Sequence, residues 1–331
     1  MINICDLKKV LEEKINESKQ VILTGHIGAD FDSISSCIAM SEIAKKFKTD
    51  VYILYNDQDV KVEPGVKGMI DSTNSTINYI NNDEYKKIKT TKDLLITLDV
   101  SNKDILPCKD YLNCFKNIIV IDHHTENKNP IDTPYSYIMK DVSSTAEVMT
   151  NLLINYKINF TKNIANYLLA GIYLDTDKYT KNCNSKTMST VSKLLDRGAD
   201  IVKVNEFFET DFESDRRVQD LVSKANFITY SIAICIADDD VLYTKEELAK
   251  VADYLLRFKT DAAFAAGFID DELISISARS KGKVDVSKIM NILNGGGNMY
   301  SAATKIISNE LNEEGKKLEL LTKPNFYIEG N

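Results

Sequence analysis

The chain has 331 residues but only three histidines, and each histidine stands close to aspartates. His123 and His124 follow Asp122 at the end of the apolar run "NIIVIDHH". His26 lies in "TGHIGADFDS", after another short apolar run, with Asp30 and Asp32 in the pattern H-x-x-x-D-x-D. Asp99 in "ITLDVSN" also ends an apolar run, and Asp175 in "LLAGIYLDTDKY" follows a longer one of helical pattern. Imidazole and carboxylate together suit Mn²⁺, Zn²⁺ or Fe²⁺, and oxygen-rich sets lean to Mn²⁺. The five carboxylates and the imidazoles exceed the needs of one ion. Two cations about 3.5–4 Å apart clamp the attacking and leaving oxygens of an in-line phosphoryl displacement. Taken singly, a strand-end aspartate is a common turn former, and a lone histidine is more often a hydrogen-bonded core residue. The set as a whole points to chemistry.

These residues act together only if the fold brings their segments to one place. "QVILTG", "DVYILY", "DLLITLDV" and "KNIIVIDHH" are short, β-branched runs bounded by turn-prone residues, as strands are. Helical spacing appears in "SISSCIAMSEIAKKF", "SSTAEVMTNLLINY", "KNIANYLLAGIYL" and "TMSTVSKLLDRG", the last closing on a Gly198 cap. Ser144 and Thr145, ahead of "AEV", read as helix caps. Continuous apolar strands alternating with helices predict an α/β fold with a buried parallel sheet. The carboxyl ends of such strands share one edge, where sites assemble. His26, Asp99 and the Asp122–His124 triplet are expected to meet there.

From about Asn205 the pattern changes. The reading gives a first domain over 1–204, a charged linker helix over 205–226, and a smaller α+β domain over 227–331. That last part holds the helix "TKEELAKVADYLLRF", the strand pair "DAAFAAGFID" and "ELISISARS", and the run Gly295, Gly296, Gly297. A helix is expected to start near Ser301, followed by an acidic, lysine-rich tail. Arg279 has a guanidinium fork that matches phosphate oxygens.

Composition narrows the function classes. Apolar content of 44% and charged content of 27% are those of a globular protein with a real core. A formal charge of −8 argues against a surface that coats long nucleic acid, but admits an anionic substrate whose site brings its own cations. The six cysteines form no C-x-x-C pair and read as reduced thiols in a cytoplasmic protein. No apolar run suggests a membrane span, and the charged N-terminal segment is no secretory signal. Dimerisation is left open.

In order along the chain, "GHIGADFDS", "LDVS", "DHH", "AGIYLDTD" and "ISARSKGKVDVSKIMNILNGGGN" resemble the DHH phosphoesterase superfamily, in the branch with a DHH-associated C-terminal domain. The resemblance implies two Mn²⁺, with other divalent metals possible. His26, Asp30 and Asp99 would hold one ion; Asp32, Asp99, His123 and Asp175 would hold the other, with Asp99 bridging. It gives Asp122 the task of orienting a ligand histidine, sets His124 at the scissile phosphate as donor or proton shuttle, and counts the bridging Asp99 with it as catalytic. Arg279, Ser280, Gly295, Gly296, Gly297 and Asn298 are the implied substrate contacts.

The chain is most similar to GdpP-type cyclic di-AMP phosphodiesterases, which form pApA. Upstream sensory and membrane parts are missing, which implies a stand-alone form. The partner would be a cyclic or linear dinucleotide, cleaved by a hydroxide activated between two metals. The alternative is a nano-RNase or pAp phosphatase. The family usually has "GGGH" where this chain has "GGGN"; Asn298 donates and accepts hydrogen bonds but carries no proton's charge. That departure keeps a third class open, a nucleotide-binding protein with weakened catalysis. Lys181 and Lys186 stand in "KNCNSKT", where relatives often place an arginine.

Overall fold

The computed structural model describes residues 4–55, 64–124, 129–209, 212–229 and 231–307. The chain divides into two compact units, Met1–Glu209 and Thr210–Asn331. The charged tail past Ile307 lies outside the described residues. Among the described residues, no helix is long and apolar enough to cross a membrane.

The first unit runs α1 (Ile4–Glu17), β1 (Gln20–Thr24), α2 (Phe31–Lys45), β2 (Asp50–Leu54), α3 (Pro64–Thr73), β3 (Asn78–Ile80), α4 (Asn82–Ile88), β4 (Asp93–Leu98), β5 (Asn117–Asp122), β6 (Tyr135–Ile138), α5 (Thr145–Asn155), α6 (Lys162–Asp175), α7 (Ser185–Asp196) and α8 (Ile201–Glu206). Its six strands are all parallel, in the order β3-β2-β1-β4-β5-β6. Val21, Leu23, Leu94, Ile96, Ile119 and Ile121 enter the core on one face. Ile22, Leu95 and Val120 enter a second core on the other. Burial of both faces explains why these strands read as continuous apolar runs rather than alternating ones. The short strands β3 and β6 escaped the sequence reading, because "NYI" and "YSYI" are too brief to show a period.

Helix α2 is buried at nearly every position and packs against α5 and α6. Small residues make this close approach possible. A Cβ on Gly171 of α6 would lie 2.9 Å from Ala146 Cβ and 2.9 Å from Asp32 Cα, so only glycine fits at this crossing.

The second unit runs α9 (Phe212–Val222), β7 (Asn226–Thr229), β8 (Ile232–Ile236), α10 (Lys245–Leu255), β9 (Ala262–Phe268), β10 (Leu273–Ser280), α11 (Val286–Ile292), β11 (Gly296–Gly297) and β12 (Ser301–Ile307). Its mixed sheet has the order β11-β12-β10-β9-β8-β7. Along β9 the faces alternate: Ala263 and Ala265 pack with α9 and α10 residues, whereas Ala262, Phe264 and Ala266 join a core with α11 residues.

Two expectations need correction. The segment 205–226 is not one helix: α8 ends at Glu206 in the first unit and α9 begins at Phe212 in the second. The helix expected near Ser301 is instead strand β12, paired antiparallel with β10. Ala302, Thr304 and Ile306 are buried while Ala303, Lys305 and Ile307 are exposed, a period of two that overrides alanine's helical preference.

Candidate metal centre

The strand order reverses between β1 and β4, and at such a point the carboxyl ends of parallel strands open a crevice. His26 follows β1, Asp99 follows β4, and His123 and His124 follow β5, so three neighbouring strands deliver them to one edge. The remaining aspartates arrive on helices. Asp30 is the N-cap of α2, its Oδ1 accepting from Ser33 N at 3.0 Å. Asp32 lies in the first turn of the same helix, fully buried. Asp175 is the last residue of α6.

Three sets of donors result, each with atoms within 4.8 Å of one another: His26, Asp30 and Asp99; Asp32, His123 and Asp175; and Asp99, Asp122, His123 and His124. Asp99 stands between the first two. Its Oδ2 is 3.6 Å from His26 Nε2, and its Oδ1 is 3.4 Å from His123 Nε2. His26 Nε2 is also 3.7 Å from Asp30 Oδ2. His123 Nε2 lies 3.1 Å from Asp175 Oδ2 and 3.9 Å from Asp32 Oδ2. These separations suit donors that share a cation about 2.0–2.2 Å from each.

Several of the ligand candidates are held from behind. His26 Nδ1 lies 3.0 Å from the Ile27 carbonyl, and the tautomer that donates there leaves Nε2 with its lone pair facing Asp30 and Asp99. Asp99 adopts a left-handed backbone (φ 62°), a conformation that a short polar side chain tolerates. The two oxygens of Asp32 accept from Ala146 N at 2.6 Å and Thr145 N at 2.8 Å, satisfying the first amides of α5. Asp122 Oδ1 accepts from His123 N at 2.7 Å, His124 N at 3.1 Å and the His124 ring Nδ1 at 2.8 Å. The ring that Asp122 grips is therefore that of His124, whereas Asp122 holds His123 by its backbone.

The chemistry of the donor set tests whether a cation fits. In the first two sets, four carboxylates (Asp30, Asp32, Asp99 and Asp175) stand with two imidazoles, His26 and His123. His123 Nε2 and Asp175 Oδ2 are buried and have no hydrogen-bond partner among the described residues. Buried polar atoms without partners are costly, and a divalent cation would satisfy both. The residues fit the group.

A model of the DHH family, N-terminal domain, matches residues 20–172, and a model of the DHHA1 domain matches residues 227–323. The chain carries a DHH domain followed by a DHHA1 domain. Among curated relatives, the membrane protein–large ribosomal subunit bL9 fusion protein of Aster yellows witches'-broom phytoplasma is 30% identical, over 89% of this chain and 36% of its own length. The cyclic-di-AMP phosphodiesterase PdeA of Listeria monocytogenes is 30% identical, over 94% of this chain and 48% of its own. A shorter match, 27% identical over 44% of this chain and 45% of the relative, is to the bifunctional oligoribonuclease and PAP phosphatase NrnA of Mycoplasma pneumoniae. The chain thus spans less than half the length of these relatives. In structure, an exopolyphosphatase-related protein from Bacteroides fragilis matches with a TM-score of 0.81 at 18% identity, over 96% of this chain and 97% of the other, which places the fold.

The electrostatics of the DHH unit follow from crowding buried carboxylates. Burial, with the charges of Asp99 and Asp175, pushes the Asp32 carboxyl well up. Burial also opposes ionisation of Asp99, yet the close His123 and His26 rings win and hold it well below the usual carboxylate range. Burial works against a charge on His123, but Asp175 and Asp99 outweigh it and lift the ring to about 11. His124 is raised chiefly by its bond to Asp122, and its ring remains more than half exposed.

The DHHA1 unit treats its expected substrate contacts differently. Arg279 Nε donates to Asp253 Oδ1 at 3.0 Å, and its Nη1 donates to the Ala278 carbonyl at 3.1 Å. Ser280 Oγ is taken up by the Asp261 carbonyl and Gly282 N. Asn298 Oδ1 accepts from Tyr300 N and Ser301 N, both at 2.9 Å, closing the turn into β12. Gly297 (φ 141°) and Gly295 lie against the β12 backbone where a Cβ would collide, while Gly296 faces open space. In "KNCNSKT", Lys181 pairs with Asp177 at 2.9 Å, and Lys186 sits in the first turn of α7.

Sequence reading missed three residues that brace the centre. Thr145 Oγ1 donates to Asp99 Oδ1 at 3.2 Å, and Ser101 hydrogen-bonds Asp122. Buried Glu147 gathers Ser143 N, Ser143 Oγ and Thr187 Oγ1 on one oxygen at 2.9, 2.7 and 3.1 Å. The only signal available was a pair of hydroxyls, Ser144 and Thr145, where one cap would suffice; Ser144 is the cap, accepting from Glu147 N.

Proposed function

We propose that the chain is a Mn²⁺-dependent phosphodiesterase that opens cyclic di-AMP to linear pApA in the cytoplasm. The observation that carries the reading is Asp99, whose two oxygens face two separate imidazole–carboxylate sets. His26, Asp30 and Asp99 would hold one ion, and Asp32, Asp99, His123 and Asp175 the other. When bound, a pair of divalent cations supplies positive charge to the phosphate oxygens and lowers the pKa of water.

The chain's own residues do the rest. Asp32, fixed by two amides of α5, and Asp99 keep the donor sets in place. His124, gripped at Nδ1 by Asp122, has Nε2 left for the substrate. In the proposed step water that has given one proton to solvent attacks as hydroxide; its oxygen bonds to phosphorus and the P–O3′ bond breaks. His124 gives its proton to the departing 3′-oxygen, and solvent afterwards returns a proton to His124. The second phosphodiester stays intact, which yields pApA. Arg279, Ser280, Asn298 and the glycines at 295–297 would contact the nucleotide, with Arg279 exchanging Asp253 for a phosphate.

Support for the cyclic substrate comes from the likeness to PdeA over most of this chain; the shorter likeness to NrnA supports the alternative, removal of nucleotides from short oligonucleotides. Product analysis on cyclic di-AMP, pApA and pAp with Mn²⁺ tests both. Fastest consumption of the cyclic compound is expected. Consumption of pApA and pAp with the cyclic compound untouched replaces this reading with the alternative. Tight binding without product over hours makes the chain a nucleotide-binding protein.

A further inference from the structure

We propose that Thr145 is a positioning residue whose hydroxyl sets the affinity of the centre for its cation, an inference that rests on the metal reading above. Thr145 touches two carboxylates that stand far apart in the chain. Its backbone N donates to Asp32 Oδ2 at 2.8 Å, and its Oγ1 donates to Asp99 Oδ1 at 3.2 Å. The second bond holds the plane of the Asp99 carboxylate, with one oxygen toward His123 and the other toward His26. A carboxylate able to rotate would have to be ordered on binding; one already turned by a fixed donor loses less freedom.

The donor is itself fixed. Thr145 is the first residue of α5 and is fully buried. Glu147 ties this end of α5 to Ser143 and, through Thr187, to the start of α7. Ala146, the next residue, packs where Gly171 lets α6 come close.

Ser144 separates this role from plain helix capping. Its Oγ accepts from Glu147 N at 3.1 Å, so it supports the same helix end through a different contact. The experiment is calorimetric titration of the full chain with Mn²⁺ alone, alongside thermal melting without metal. Thr145→Val, which keeps the shape and the backbone amide, should raise the Mn²⁺ dissociation constant roughly tenfold or more. Thr145→Ser, which restores the hydroxyl, should return it to within about threefold of wild type. Ser144→Ala should lower the melting midpoint and leave Mn²⁺ affinity unchanged. Wild-type affinity in Thr145→Val, or an equal loss in Ser144→Ala, overturns the inference while the metal reading stands. Should Thr145→Val fail to fold, a Thr145→Ser affinity as poor as that of Thr145→Ala overturns it as well. No Mn²⁺ uptake by the wild type overturns both.

Discussion

The carboxyl edge of the parallel sheet and the glycine turn of the second sheet both gather polar side chains, but in opposite states. At the first, His123 Nε2 and Asp175 Oδ2 are buried without hydrogen-bond partners among the described residues, and like charges crowd Asp32. At the second, Arg279 has Asp253, Ser280 has Gly282 N and the Asp261 carbonyl, and Asn298 has two amides. Buried polar groups left without partners are costly, so the donor set of the first region is suited to taking up positive charge. The second is complete as protein. A ligand there has to compete with contacts already made.

The hardest blow to this contrast is Asp99→Asn. Asparagine tolerates the left-handed backbone, so the fold should survive, with the melting midpoint of the metal-free protein within a few degrees of wild type. Mn²⁺-dependent turnover should fall on the order of a thousandfold or more, because both donor sets lose the same carboxylate. Wild-type rates would remove Asp99 from the chemistry. Arg279→Ala probes the other side with a smaller effect. KM should rise roughly tenfold with kcat unchanged, the signature of a lost charged contact to substrate in ground and transition state alike. An unmoved KM would mean that the guanidinium serves only Asp253.

The same contrast explains what could be read from the chain beforehand. The metal candidates were legible because histidine is scarce here and each one follows an apolar run, so residue type and local position sufficed. Parallel topology was legible because β1, β4 and β5 are buried on both faces. Thr145 was not legible: its contact to Asp32 spans 113 positions, and nothing local distinguishes it from a cap. β12 was misread because "SAATKII" suits either period until its pairing with β10 selects one. The link between α8 and α9 was misread because a charge-dense helical pattern carries no mark at its interruption.

The smallest expected effect concerns acid. In the DHHA1 unit, Glu247 closes the capping box of α10, accepting from Thr244 N at 2.8 Å. It also accepts from Arg217 Nε at 2.9 Å, while another nitrogen of the same guanidinium reaches the Leu242 carbonyl. Burial opposes its ionisation, but the bonds to Arg217 and Thr244 win and lower its pKa. A carboxylate depressed on folding stabilises the native state above its unfolded value, about 4.3, and that stability fades as pH falls through the lower folded value. Glu247→Gln should therefore cost on the order of 1 kcal/mol at neutral pH and less in acid, narrowing the gap to wild type. Urea midpoints at pH 7 and below pH 4 measure the difference. A gap that stays constant or widens in acid would show that Glu247 matters by shape and not by charge.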